Sequence, residues 1–151
     1  NLKMKLKQEL LDICLQDVSK RISHYKNEIS FIKESIESND KISDEEGESG
    51  NSQLLEDLEK NLNYLNEAQK VKDYLNLVKP NVISQNVVLG SIVKTDSINF
   101  YIAISKGKVT VSDEDYYIIS IQSPIGQLIK SKSVGYQFQF NEKSYEIKAI
   151  L

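Results

Sequence analysis

The sequence predicts an α+β protein, an antiparallel helical hairpin followed by a small β-rich domain with one short helix. Three observations carry that expectation. Two long stripes of apolar residues recur at helical spacing, a polar stretch rich in Gly, Ser and Asn parts them, and beyond Pro80 the period gives way to short β-branched and aromatic runs. The expected division is residues 1–80 for the hairpin and 81–151 for the β-rich domain.

In the first stripe Leu11, Leu15, Val18, Ile22, Tyr25, Ile29, Ile32 and Ile36 follow one another in alternating steps of four and three, the mark of a heptad seam. No Pro or Gly interrupts residues 1–46, and the positions between are mostly Lys, Glu, Asp, Ser and Asn, so the opposite face is solvated. The second stripe runs through Leu55, Leu58, Leu62, Leu65, Ala68, Val71, Leu75 and Val78 and stops at Pro80. Helices of about 30 residues would each be about 45 Å long. Between the stripes, ESNDKISDEEGESGNSQ (37–53) holds almost nothing apolar except Ile42 and reads as the hairpin turn, with an acidic tip near 43–51. Ser52 or Asn51 suits the N-cap of the second helix, with Glu56 and Asp57 placed favourably against its dipole. A dimeric coiled coil is the competing reading. Stripes of similar length and a short linker favour pairing within one chain, and so a monomer.

Beyond Pro80 six strands are expected: 91–95, 98–104, 108–111, 116–121, 136–140 and 144–150. Asp96-Ser97, Lys106-Gly107, Ser112-Asp113 and Asn141-Glu142 fall at the intervals of an antiparallel meander. Between the fourth and fifth strands SPIGQLIKSK fits one short helix, with Ser123 as N-cap, Pro124 at its first position, and Leu128 and Ile129 buried against the sheet.

Composition narrows the function classes. The net charge of −3 makes duplex nucleic acid an unfavourable direct partner, since phosphate binding draws on clustered Lys and Arg. Residues 1–80 carry twelve basic and sixteen acidic side chains, and residues 81–151 carry seven and six, so the acidity lies in the hairpin. A single cysteine, Cys14, excludes an internal disulfide and a Cys-rich metal site, which suits a reducing compartment. No stretch approaches the roughly 18 apolar residues of a membrane span, and the opening residues lack the apolar core of a signal peptide. The expected location is the cytoplasm. Met4 reads either as an internal residue or as a start. His24 lies beside the seam as a surface residue. Cys14 and His24, ten residues apart on one helix, stand about 15 Å apart along its axis, too far for a thiol-imidazole pair. No phosphate loop, His-Glu-x-x-His or Ser-His-Asp set is present.

The segment IQSPIGQLIKSKSVGYQFQFNEKSYEIKAIL resembles the C-terminal end of the bacterial Gre factors (GreA and GreB), transcription elongation and transcript cleavage factors. Their FKBP-like domain carries a Ser-Pro-Ile/Leu-Gly/Ala helix, then Lys and Gly, then two closing strands. Ser123, Pro124, Ile125, Gly126, Leu128, Gly135, Tyr145, Glu146 and Ile147 match. Two positions depart: Ser131 stands before Lys132 where the family has Gly, and Tyr136 stands where it has Asp. Gre factors also open with an antiparallel coiled coil, so the resemblance extends to the plan, though the motif covers about the last 30 residues.

The resemblance implies a hairpin that enters the secondary channel of bacterial RNA polymerase. There an Asp and a Glu three positions later help hold a catalytic Mg²⁺ shared with the polymerase. Glu45 and Glu48 reproduce that spacing, flanked by Asp44 and Glu46, without the family's Leu-Ser-Glu-Asn context. The resemblance also implies docking through Ser123, Pro124 and Ile125, and an accessory role with no enzymatic activity alone. Two carboxylates are a poor isolated Mg²⁺ site and become useful when a host site completes the shell. The plainer reading of the same four acids is a solvated turn that keeps the hairpin soluble. Three further functions stay open: a channel regulator that does not cleave, an FKBP-like prolyl isomerase, and a structural coiled-coil scaffold.

Overall fold

The computed structural model describes residues 1–42 and 47–151. Two helices, α1 (Leu2–Ile42) and α2 (Gly47–Leu75), precede β1 (Ile92–Thr95), β2 (Asn99–Ile102), β3 (Gly107–Val111), β4 (Glu114–Ile119), α3 (Pro124–Ile129), β5 (Gln137–Phe140) and β6 (Lys143–Ile150). The fold class is as the sequence predicts. Contacts divide the chain into two compact units, Gln16–Tyr74 and a second made of Asn1–Leu15 together with Leu75–Leu151. A cut at residue 80 describes the strand-rich segment, but the first turns of α1 also belong to the sheet unit.

Within the unit Gln16–Tyr74 the two arms pair antiparallel in one chain. Tyr25 meets Tyr64 with ring centroids 5.5 Å apart, and Asn39 Nδ2 donates to Asn51 Oδ1 at 3.2 Å. Val18, Ile22, Ile29 and Ile32 are buried on α1 as the seam requires. The α2 stripe differs from expectation. Leu55 and Leu62 are 54% and 45% exposed, and the covered positions run through Leu54, Leu58, Asn61, Leu65 and Ala68. The covered positions keep a seven-residue repeat, 54/61/68 and 58/65, but the contact line passes through Leu54 and Asn61, one residue before Leu55 and Leu62. The turn is also shorter than its composition suggests, because α1 continues to Ile42 and α2 begins at Gly47. Asn51 and Ser52 therefore lie inside α2, not at its N-cap. At the other end α2 stops at Leu75, where the Val78 N–H bonds the Leu75 carbonyl, a turn before the break that Pro80 would impose.

The six strands form one sheet in the order β3-β4-β2-β1-β6-β5. Four pairs are antiparallel, but β2 and β4 run parallel, with Phe100, Tyr101 and Ile102 opposite Tyr117, Ile118 and Ile119. The expected meander is thus interrupted: β3 folds out as a hairpin onto β4 so that β4 can pair with β2. The reason lies in burial. Phe100, Tyr101 and Ile102 are all buried, so β2 is covered on both faces and takes a central place that a half-solvated meander strand would not. Ser112 and Asp113, at φ 51° and 65°, make the tight β3–β4 turn, and Asn141 and Glu142, at 50° and 66°, make the β5–β6 turn.

One face of the sheet carries the core of Val87, Val93, Phe100, Ile102, Ile129, Phe138, Tyr145, Ile147 and Ile150. The connection through α3 crosses this face from β4 to the far edge strand β5, sinking Ile129 into it. The other face turns Ile92, Tyr101 and Ile118 toward one another by register, and Tyr101 lies near Cys14 and Asp12 of α1. Cys14 is fully buried there, a small helix-face residue.

Candidate functional site

The helix start at Ser123 is built by hydrogen bonds that account for each residue of the motif. Ser123 Oγ accepts from the Gly126 N–H at 3.0 Å and donates to the Ser120 carbonyl at 2.6 Å, capping α3 and tying it to the end of β4. Pro124 takes the first helical position, where no N–H is required. Gln127 Nε2 reaches back to the Ile121 carbonyl at 2.8 Å. Gly126 is demanded by close approach: a Cβ there would lie 2.3 Å from the Ser120 oxygen and 2.7 Å from that of Ile121. Pro124 is exposed, Ile125 is half-buried against the core, and Gly126 and Ile129 are buried. Leu128, expected inside, is 36% exposed, because six residues of helix give only one inward stripe and Ile129 occupies it.

After α3 the chain turns at Ser131, whose φ of 64° is left-handed. This is the position where the Gre pattern places Gly, so Ser131 keeps that backbone without the residue best suited to it. The turn is secured by an exchange with the segment before β1: Ser131 N–H to the Val87 carbonyl at 3.0 Å, and Val87 N–H to the Lys132 carbonyl at 2.9 Å. Tyr136, the second departure, stacks on Phe138 at 6.2 Å and has the Lys132 ammonium 4.8 Å from its ring centroid. Both departures are accommodated locally.

Of the expected tip carboxylates, Asp44, Glu45 and Glu46 lie outside the described residues. Glu48 falls in the first turn of α2. Next to the tip the arms are clasped by a polar triad that composition alone reads as turn. Asn51 Nδ2 donates to Asp40 Oδ1 at 2.7 Å while Asn51 Oδ1 accepts from Asn39. Asn39, Asp40 and Asn51 thus bring the arms together just before the acidic residues. Glu48 belongs to the hairpin unit and Ser123, Pro124 and Ile125 to the sheet unit. His24 is exposed and packs edge-on to Tyr25 at 5.6 Å. Among the described residues no three His, Cys, Asp or Glu side chains gather as a metal site, and no helix is long and apolar enough to cross a membrane.

On the outer strands the carboxylates are held by neighbours. The Tyr116 hydroxyl, 2.7 Å away, and then Lys94 hold Glu114 below the ordinary value of 4.5. Thr110 and then Lys108 do the same for Asp115, and Gln137 and then Lys148 for Glu146. Tyr101 is fully buried, and among the described residues its hydroxyl has no hydrogen-bond partner. That burial pushes its phenol upward.

No protein-family model matches the sequence, and no curated protein matches it significantly. Among solved structures the chain is similar to one described as the transcription factor Gfh1, at 12% identity and a TM-score of 0.40 over 90% of this chain and 92% of that one. It is also similar to the GreA factor homolog 1 (Gfh1) protein of Thermus thermophilus, at 17% identity and a TM-score of 0.35 over 95% of this chain and 93% of that one. Similarity at this level assigns the chain to no family and gives none of its residues a role.

Proposed function

We propose that the chain is a Gre-like transcription factor that inserts its hairpin into the secondary channel of bacterial RNA polymerase and stimulates cleavage of backtracked RNA. The observation that carries the reading is one chain holding both a self-paired helical hairpin, with acidic residues between its arms in the sequence, and a capped Ser123-Pro124-Ile125-Gly126 helix start in a sheet unit. The factor is an accessory and not an enzyme, works as a cytoplasmic monomer, and needs no cofactor of its own. Ser123, Pro124 and Ile125 mark the docking surface. Exposed Pro124 is free for contact, whereas Ile125 also packs against the core.

Glu45 and Glu48, with Asp44 and Glu46 beside them, would hold a Mg²⁺ shared with the polymerase, and carboxylate oxygens are suitable donors for it. When bound there, the ion supplies activation of water and stabilisation of the leaving oxygen in phosphodiester hydrolysis. The hairpin's contribution is to carry the carboxylates to that place. Glu where the Gre pattern has Asp, and the absence of Leu-Ser-Glu-Asn around it, favour a second reading, a channel regulator that occupies the site without cleaving.

The deciding experiment adds the purified protein to a backtracked elongation complex. Shortened RNA that disappears with Glu45→Ala plus Glu48→Ala, while polymerase binding persists, supports cleavage. Binding without shortening supports the regulator. Absence of binding sinks both. Deleting residues 23–29 and 61–67, one heptad from each arm, shortens the hairpin by about 10 Å and should abolish cleavage while the sheet unit still competes for the polymerase.

A further inference from the structure

Inside the sheet unit, the first turns of α1 and the segment joining α2 to β1 line a half-open recess of about 280 Å³, unrelated to the tip or to the Ser123 turn. Its walls are largely aliphatic, including Leu77, Val78, Val82 and Val88. Lys7 enters this apolar space from α1. The residue is only 3% exposed, and its Nζ donates to the Val82 carbonyl at 2.8 Å. An ammonium carries three N–H donors, so the Val82 carbonyl uses one of them. The other basic side chain on the wall is Lys79, and none of the lining residues is acidic. Burial pushes the Lys7 amine below its ordinary value, and among the described residues no counter-charge opposes that push.

A cation placed in an apolar recess without an anion leaves an electrostatic demand that a ligand can meet. The recess is also firmly built. Gly90 at φ 88° brings its backbone so close to Val78 that a Cβ would lie 2.7 Å from Cγ1, and the buried Ser91 Oγ accepts from the Val88 N–H at 3.0 Å. The volume lies just under the roughly 300 Å³ at which sites for drug-sized ligands begin, so the occupant is small.

We propose that this recess binds a small aliphatic carboxylate, its oxygens on Lys7 Nζ and its carbon chain against Leu77, Val82 and Val88. The carboxylate comes either from a free short-chain acid or from the C-terminus of a peptide ending in an aliphatic residue. The chemistry at Lys7 is the same for both.

The test is calorimetric titration of the full-length protein with hexanoate, hexanamide and hexylamine, and with a Leu-terminated tripeptide in free-acid and amidated forms. Saturable binding of hexanoate or of the free-acid peptide is expected, at least about tenfold tighter than that of the matching neutral amide. Which of the two binds identifies the source. Lys7→Met should weaken binding by about tenfold or more and Lys7→Arg by less. Failure of both carboxylates to saturate, equal binding of the neutral or cationic analogues, or affinity unchanged in folded Lys7→Met overturns the proposal. Should Lys7→Met not fold, the acid-against-amide comparison on the unaltered protein decides the question.

Discussion

The hairpin unit and the sheet unit bury their apolar residues in different ways. Along the arms a single stripe is covered from one side, and large residues such as Phe31, Leu55, Leu62 and Tyr64 remain about half or more exposed. In the sheet unit β2 is buried on both faces, and α3 closes over a core in which Ile129 and Ile147 have no exposure. A stripe tolerates loss at its margins because neighbouring turns repeat the same contact. A core in which each residue touches several elements does not. Substitutions should therefore separate the two units sharply.

The largest effect is expected at Gly126. Gly126→Ala forces a methyl group against two carbonyl oxygens of the β4 end and should cost about 3 kcal/mol or more in urea unfolding. Ile129→Ala, which empties a fully buried position, should cost about 3 kcal/mol, whereas Leu62→Ala on the hairpin should cost less than about 0.5 kcal/mol. Equal losses at Ile129 and Leu62 would break the contrast. A gain sharpens it: Tyr101→Phe removes a buried hydroxyl without a partner among the described residues and should raise the stability of the sheet unit by about 1 kcal/mol.

The smallest effect should come from acid. Glu114, Asp115 and Glu146 have folded-state values held below their unfolded ones, so each contributes stability above the ordinary values of 4.5 and 3.8. That contribution is lost as pH falls through the lower folded values. All three are near the surface, so solvent screening keeps the change small. A pH series of urea midpoints should show a shallow decline beginning below about pH 4.5.

Much of this architecture was legible in residue order because it is local. Helical period marked both arms, β-branched runs marked all six strands, and Ser123 with Pro124 marked the start of α3. Strand order was not legible, since placing β4 beside β2 depends on which strands are covered twice. The clue was the unbroken apolar runs at 100–104 and 116–119, which do not alternate as half-exposed strands do. Leu55 and Leu62 misled because each stands one residue after a covered position, and Asn61, being polar, gives no apolar signal of the seam. Lys7 carried no signal, being one of several lysines near the start, and only the segment around Val82 makes it a buried cation. Asn39, Asp40 and Asn51 read as turn formers because their amides and carboxylate suit turns as well as they suit a clasp between helices.

The membership of Asn1–Leu15 in the sheet unit makes Gln16–Tyr74 an insertion within a discontinuous unit. During synthesis Asn1–Leu15 must wait for their sheet until the residues from Leu75 onward have been made. Closing so long a gap by random search is entropically unfavourable and slows folding. Prior zipping of the arms, from Asn39 and Asn51 down to Val18 and Val71, replaces that search by joining the two ends of the insertion. The hairpin is then also the device that lets a divided unit assemble. Mutations that loosen the arms should slow the folding of the sheet even where they leave its final stability unchanged.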